Sequence, residues 1–279
     1  MSRGFRFSPG GQATLLWLDE LLEDAYGAPE ALLGNHADPL DEAVYIILSF
    51  QTDLARFQET WRELRAAFPS WENVERASRA DVARALRAGG LHQQKARTIK
   101  ALLQAVRHQF GELSLTQLAG MSNESAERIL TRLTGLSWKG ARCVLMYSLD
   151  RPVFPVDGNT FRILQRAGVI PQTAVYRHRS LHDRLQHAVP EGRRRPFHVN
   201  LVVHGQRSCL PIAPQCDSCP AAAVCKKRGV RSGSHEQTGL LRDWANGEEG
   251  KQEQVRAEVT GRNRSEPPRF EGQYAAAMG

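Results

Sequence analysis

Up to about residue 205, nearly every segment of this chain carries apolar residues three or four positions apart, and none alternates as a half-buried strand does. Within residues 13–26 the apolar positions are Leu15, Leu18, Leu22 and Ala25. Residues 41–50, 54–68, 81–88, 95–110 and 122–133 keep the same period, and 138–149, 160–167, 179–187 and 196–205 extend it. Pro69-Ser70, Gly89-Gly90 and Gly111 punctuate the series, while Ser70, Ser78 and Ser122 stand where helix caps belong. The pattern predicts an all-α fold.

The 279 residues suffice for one large domain or two ordinary ones. No apolar run approaches the roughly 18 residues a membrane helix needs, and the longest spans only residues 43–50. The N-terminal stretch lacks the apolar segment of a secretory signal, so a cytoplasmic address is expected, or a nuclear one in a eukaryote. The formal charge of +7 suits a polyanionic partner. Residues 226–279 hold ten Lys/Arg and eight Asp/Glu, which is +2 and leaves +5 to the rest. Few aliphatics interrupt that stretch, so residues 229–279 are expected to be a disordered tail.

Four of the five cysteines crowd into CLPIAPQCDSCPAAAVC, where Cys209, Cys216, Cys219 and Cys225 give the spacing C-x6-C-x2-C-x5-C. A reducing compartment disfavours disulfides, and four thiolates in one short loop point to a metal centre. Structural zinc prefers two C-x2-4-C knuckles. The single close pair with wider gaps favours a [4Fe–4S] cubane, with zinc as the alternative. Cys143 lies apart and is expected to be a small buried residue.

This spacing, following a late His204-Gly205, resembles the cluster loop of the endonuclease III family of helix-hairpin-helix DNA glycosylases. The resemblance covers residues 13–227. It implies a six-helix barrel at 38–149 and an iron–sulfur domain built from 5–37 and 150–228. It also implies a [4Fe–4S] cofactor held by the four cysteines.

Lys139 in LTGLSWKGARCVL sits in the first turn of a helix capped by Ser137, where the helix dipole disfavours a cation by ~0.3–1 kcal/mol. That placement suits a nucleophilic amine, and a solvated surface lysine is the bland alternative. The segment resembles the family's Leu-Pro-Gly-Val-Gly-Arg-Lys-Thr-Ala, which places Lys139 on the Schiff-base lysine. FPVDGNTFR resembles the family's Val-Asp-Thr-His segment and points to Asp157 as the essential carboxylate, a residue that can also cap the following helix. Gly135, Leu136 and Ser137 form the expected phosphate-binding hairpin, with N–H groups aimed outward. The resemblance further implies that Gln51, in ILSFQTD, and Leu91 and His92, in GGLHQQKA, enter the DNA.

The expected protein is a monomeric base excision repair glycosylase with AP lyase activity. Its partner is double-stranded DNA carrying damaged bases, oxidised pyrimidines foremost, or abasic sites. Asp157-Gly158-Asn159 resembles adenine glycosylases that act at A/G mismatches, which supplies a monofunctional alternative. A weakly active DNA-binding paralogue is the reading from another class.

Overall fold

The computed structural model describes residues 6–29 and 34–230, so the tail expected at 229–279 lies almost wholly outside the described residues. Those residues are all-α, with no strand among them. The first helix, α1 (Gly11–Tyr26), buries Leu15, Leu18 and Leu22, the stripe that its spacing requires. There follow α2 (Pro39–Ser49), α3 (Leu54–Ala67), α4 (Trp71–Arg76), α5 (Arg79–Ala85), α6 (His92–Phe110), α7 (Asn123–Arg132) and α8 (Trp138–Leu149). The last three are α9 (Gly158–Ala167), α10 (Arg179–Ala188) and α11 (Arg194–Arg207).

Seven α-helices therefore occupy the region where six were expected. The extra one is α4, whose single turn and a half is too short to display a period. It is fixed instead by a capping box between Ser70 and Asn73 and by the Trp71 indole, which donates to Asp41 of α2 at 2.8 Å.

The apolar residues divide into two clusters. One surrounds α2, whose residues 43–48 are buried on every side, and runs from Leu40 to Val153. The other surrounds α11, buried from Phe197 to Gly205, and joins α1 to residues beginning at Phe154. The chain passes from one cluster to the other between Val153 and Phe154. Each of these two helices is buried on every side over much of its length and forms the axis of its cluster. No described helix is long and apolar enough to cross a membrane.

Candidate active site

The start of α8 is set by Ser137, whose Oγ accepts from the Gly140 N–H at 3.4 Å, so Lys139 is the second residue of the helix. Lys139 is half-buried, with Nζ 5.9 Å from the centre of the Phe50 ring. Its helical neighbour Cys143 is 4% exposed, and burial pushes that thiol up to about 12, which makes it inert at neutral pH.

Asp157 is the N-cap of α9: Oδ1 accepts from the Thr160 N–H at 2.7 Å and Oδ2 from Asn159 Nδ2 at 3.1 Å. Capping and presentation of a carboxylate thus coexist. Burial opposes its charge, but His198, the Thr160 N–H and the Lys139 cation outweigh that, and its pKa falls below the ordinary carboxylate value. Lys139 and Asp157, far apart in sequence, therefore share one electrostatic site at two helix N-termini.

Two further members escaped the sequence reading. Glu42 of α2 is fully buried, and burial raises its carboxyl to about 7 despite donors from the His36 N–H (2.8 Å) and Asn35 Nδ2 (2.7 Å) and the charge of Lys139. His198 of α11 is 2% exposed, and burial lowers it to about 4, so the ring is neutral at pH 7. Its Nδ1 has no partner among the described residues. Glu42 reads in sequence as one of two first-turn acids of α2 and His198 as part of a largely apolar helix, and neither position signals what the side chain faces.

His198 gives a pH prediction. The unfolded imidazole takes up a proton near 6.5 and the folded one only near 4, so between those values the unfolded chain binds more protons and stability falls on acidification. Glu42 acts oppositely in much of this window, because its folded form holds a proton longer. The difference between wild type and His198→Asn isolates the histidine. The variant's unfolding free energy should fall less steeply from pH 6.5 to 4, by a margin on the order of 3 kcal/mol; identical slopes would remove His198 as the cause.

The hairpin joins α7 to α8. Gly135 has φ 88°, and a Cβ there would stand 2.3 Å from Thr98 Cγ2, so both conformation and space exclude a side chain. Leu136 departs from expectation: its N–H is given to Leu133 O at 3.3 Å and its side chain is 7% exposed, so it anchors the turn and offers nothing to a phosphate. Ser137 is exposed beside the first-turn N–H groups of α8, which keep the hairpin's anion-binding capacity. Gln51 and Leu91 are exposed, and both adopt left-handed backbone, φ 49° and 48°. His92 is the half-buried first residue of α6.

Cys209, Cys216, Cys219 and Cys225 line one pocket with His204, Arg166 and Ile163. None of the four is paired in a disulfide. Arg166 Nη1 lies 3.3 Å from Cys209 Sγ, His204 Nε2 lies 3.7 Å from Cys219 Sγ, and the Lys227 N–H donates to Cys225 Sγ at 3.4 Å. Among the described residues no three Cys, His, Asp or Glu converge on a point where a single ion could sit. Four cysteines lining one pocket, with N–H donors on their sulfurs, are a donor set that fits a thiolate-held metal group.

The cavity is tied to the site. Arg162 of α9 donates to Asn159 Oδ1 (2.8 Å), Gly205 O (3.0 Å) and Cys209 O (2.9 Å), and Asn159 holds Asp157.

An all-α fold with a hairpin feeding a lysine-bearing helix, opposite a capped carboxylate, is the architecture of a base excision glycosylase. The sequence matches the family described as HhH-GPD superfamily base excision DNA repair protein over residues 44–186, just over half the chain. This chain belongs to that superfamily. An Arabidopsis thaliana chain described as a DNA glycosylase is 34% identical over 167 residues, covering 60% of this chain and 56% of its own length. DNA glycosylase/AP lyase ROS1 of the same plant is 23% identical over 56% of this chain, a region that is only 12% of ROS1. Endonuclease III of Thermotoga maritima is 24% identical, covering 66% of this chain and 82% of its own. The chain thus spans about half or less of the length of the two plant relatives. In fold it resembles endonuclease III solved in a non-covalent DNA complex, with TM-score 0.66 and 21% identity, covering 79% of this chain and 97% of that one.

Proposed function

We propose that this protein binds duplex DNA, extrudes a damaged base and removes it as a bifunctional glycosylase and AP lyase, with oxidised pyrimidines as the favoured class. The observation that carries the reading is that Lys139 and Asp157 stand at the N-termini of α8 and α9, close enough for the Lys139 charge to help lower the Asp157 pKa. The Lys139 amine bonds to C1′ as the base departs, and Asp157 stabilises the positive charge that develops on the sugar. The base leaves with the glycosidic electron pair; the nitrogen lone pair freed when Nζ loses a proton then expels O4′, which takes up a proton as the sugar ring opens to an iminium between Nζ and C1′, and removal of a C2′ proton expels the 3′ phosphate. Gln51 and Leu91 enter the stack at the extruded position, with His92 beside them. The hairpin and the start of α8 hold the backbone phosphate without reading sequence.

The test is a panel of oxidised-pyrimidine, abasic and A/G-mismatch duplexes. Base release coupled to strand cleavage supports the reading, and tight binding with no turnover of any duplex overturns it. The bond from Asn159 to Asp157 favours a second reading, a monofunctional mismatch glycosylase. Base release without cleavage, undiminished in Lys139→Gln, is its signature.

The four cysteines would hold a [4Fe–4S] cluster, which would supply structural rigidity to the loop. The purified protein should be brown, with iron and acid-labile sulfide in equal amounts. Cys216→Ser should lower both and destabilise the loop, because metal binding and folding are coupled. A colourless protein with stoichiometric zinc refutes the cluster.

A further inference from the structure

Lys95 is 3% exposed, and among the described residues no carboxylate pairs with it. Burying an ammonium without an acid is costly, and an apolar side chain would fill the same volume without that cost. What the ammonium does instead is donate three hydrogen bonds: to Leu48 O at 2.8 Å, to Gly89 O at 2.9 Å and to Thr52 Oγ1. Its partners come from the end of α2 with the loop that follows it, and from the 87–89 turn. Leu48 and Thr52 flank Gln51, and Gly89 lies two residues before Leu91. Thr52 Oγ1 in turn sits 2.8 Å from Gly89 O and 2.9 Å from Phe50 O, one of which takes its hydrogen. The 87–89 turn is also pressed against α3, since a Cβ on Gly89 would meet Thr60 Oγ1 at 2.5 Å.

The same two loops carry Gln51 and Leu91, both in left-handed backbone, a conformation that costs non-glycine residues ~1–2 kcal/mol each and persists only where the surroundings enforce it. Leu91 is 45% and Phe50 38% exposed, among the few large apolar side chains that the described residues leave in solvent.

We infer that Lys95 is a positioning residue for DNA entry, locking the Gln51 loop and the Leu91 loop into one rigid unit so that both side chains enter the duplex in register. It rests on the reading of those two residues as DNA-inserting. Lys95 never touches DNA. Its ammonium supplies what neither loop has alone, a common donor for carbonyls that face each other across the gap.

The experiment uses the full chain and a duplex with a tetrahydrofuran abasic analogue opposite 2-aminopurine, whose fluorescence rises when it is unstacked. Lys95→Met and Thr52→Val are compared with wild type, alongside amide hydrogen exchange of residues 49–53 and 87–91. The expected result in Lys95→Met is loss of the fluorescence rise and faster exchange in both loops together. Binding to undamaged duplex should stay within about twofold, because phosphate contacts lie elsewhere. Base release should fall in kcat by roughly 100-fold, the effect of a misplacement of ~1 Å. Thr52→Val should show the same pattern more weakly, and it carries the test if Lys95→Met does not fold. A fluorescence rise retained in the folded variants, or exchange that quickens in one loop only, overturns the inference. A wild type that gives no rise at all instead overturns the DNA-inserting role itself, while the exchange comparison still reports whether Lys95 couples the loops.

Discussion

Lys139→Ala should abolish borohydride trapping on abasic-site DNA completely, while binding to the same duplex survives. The covalent adduct requires a primary amine at C1′, and alanine has none, so the loss is absolute where most substitutions only slow a step. Strand cleavage should fall by on the order of 10³-fold or more, to the level left by binding and positioning alone. Asp157→Asn should behave differently. Its amide still accepts from the Thr160 N–H and keeps the α9 cap, but it brings no negative charge to the sugar, so base release should fall by about 10²–10⁴-fold with the fold intact. Trapping of a pre-formed abasic site should be less affected than base excision in that variant, because the sugar there is already an aldehyde. Wild-type protein that forms no adduct rules out the lyase, and an adduct unchanged by Lys139→Ala rules out Lys139 as its nucleophile.

How far the sequence disclosed this site depended on what each residue needs from its neighbours. The start of α8 was legible because Ser137 caps it locally, and Asp157 because a capping aspartate announces a helix three residues on. The cysteine loop was legible because its four cysteines fall within 17 consecutive residues and line one pocket. Glu42, His198 and Lys95 were not. The role of each is fixed by residues 41 to 97 positions away: Lys139 for Glu42, Asp157 for His198, Leu48 for Lys95. Periodicity tells which face of a helix is buried, never what the buried face meets. The helix count failed for a related reason, since α4 is held by Ser70, Asn73 and a tertiary bond to Asp41, and none of these is periodic. Leu136 failed because the spacing of a hairpin does not say which of its N–H groups the turn itself consumes.

Arg142 should prove the most consequential charge for stability. It is 1% exposed, on α8, and donates to both oxygens of Glu127 on α7, at 3.4 and 3.2 Å, and to Asp183 on α10. Asp183 also takes Arg179 at 3.3 Å, and the Arg179 guanidinium lies 4.7 Å from the centre of the Trp138 ring at the start of α8. One guanidinium thus ties the hairpin's two helices to each other and to α10, whose Leu181 and Leu185 belong to the second apolar cluster. Arg142→Met leaves the Glu127 carboxylate, 7% exposed, with no countercharge, and breaking a buried pair from one side costs about 3–5 kcal/mol. For a chain of this size the melting temperature should drop by roughly 10 °C. The double variant Arg142→Met with Glu127→Leu removes both charges and should recover most of that loss, because the penalty lies in the orphaned ion more than in the missing pair. Asp183→Asn should cost much less, its side chain being 36% exposed and screened by water. If Arg142→Met melts within a degree or two of wild type, the pair is not what joins α8 to α7 and α10. If the double variant is no better than the single, the guanidinium's geometry and not its charge holds the helices in place.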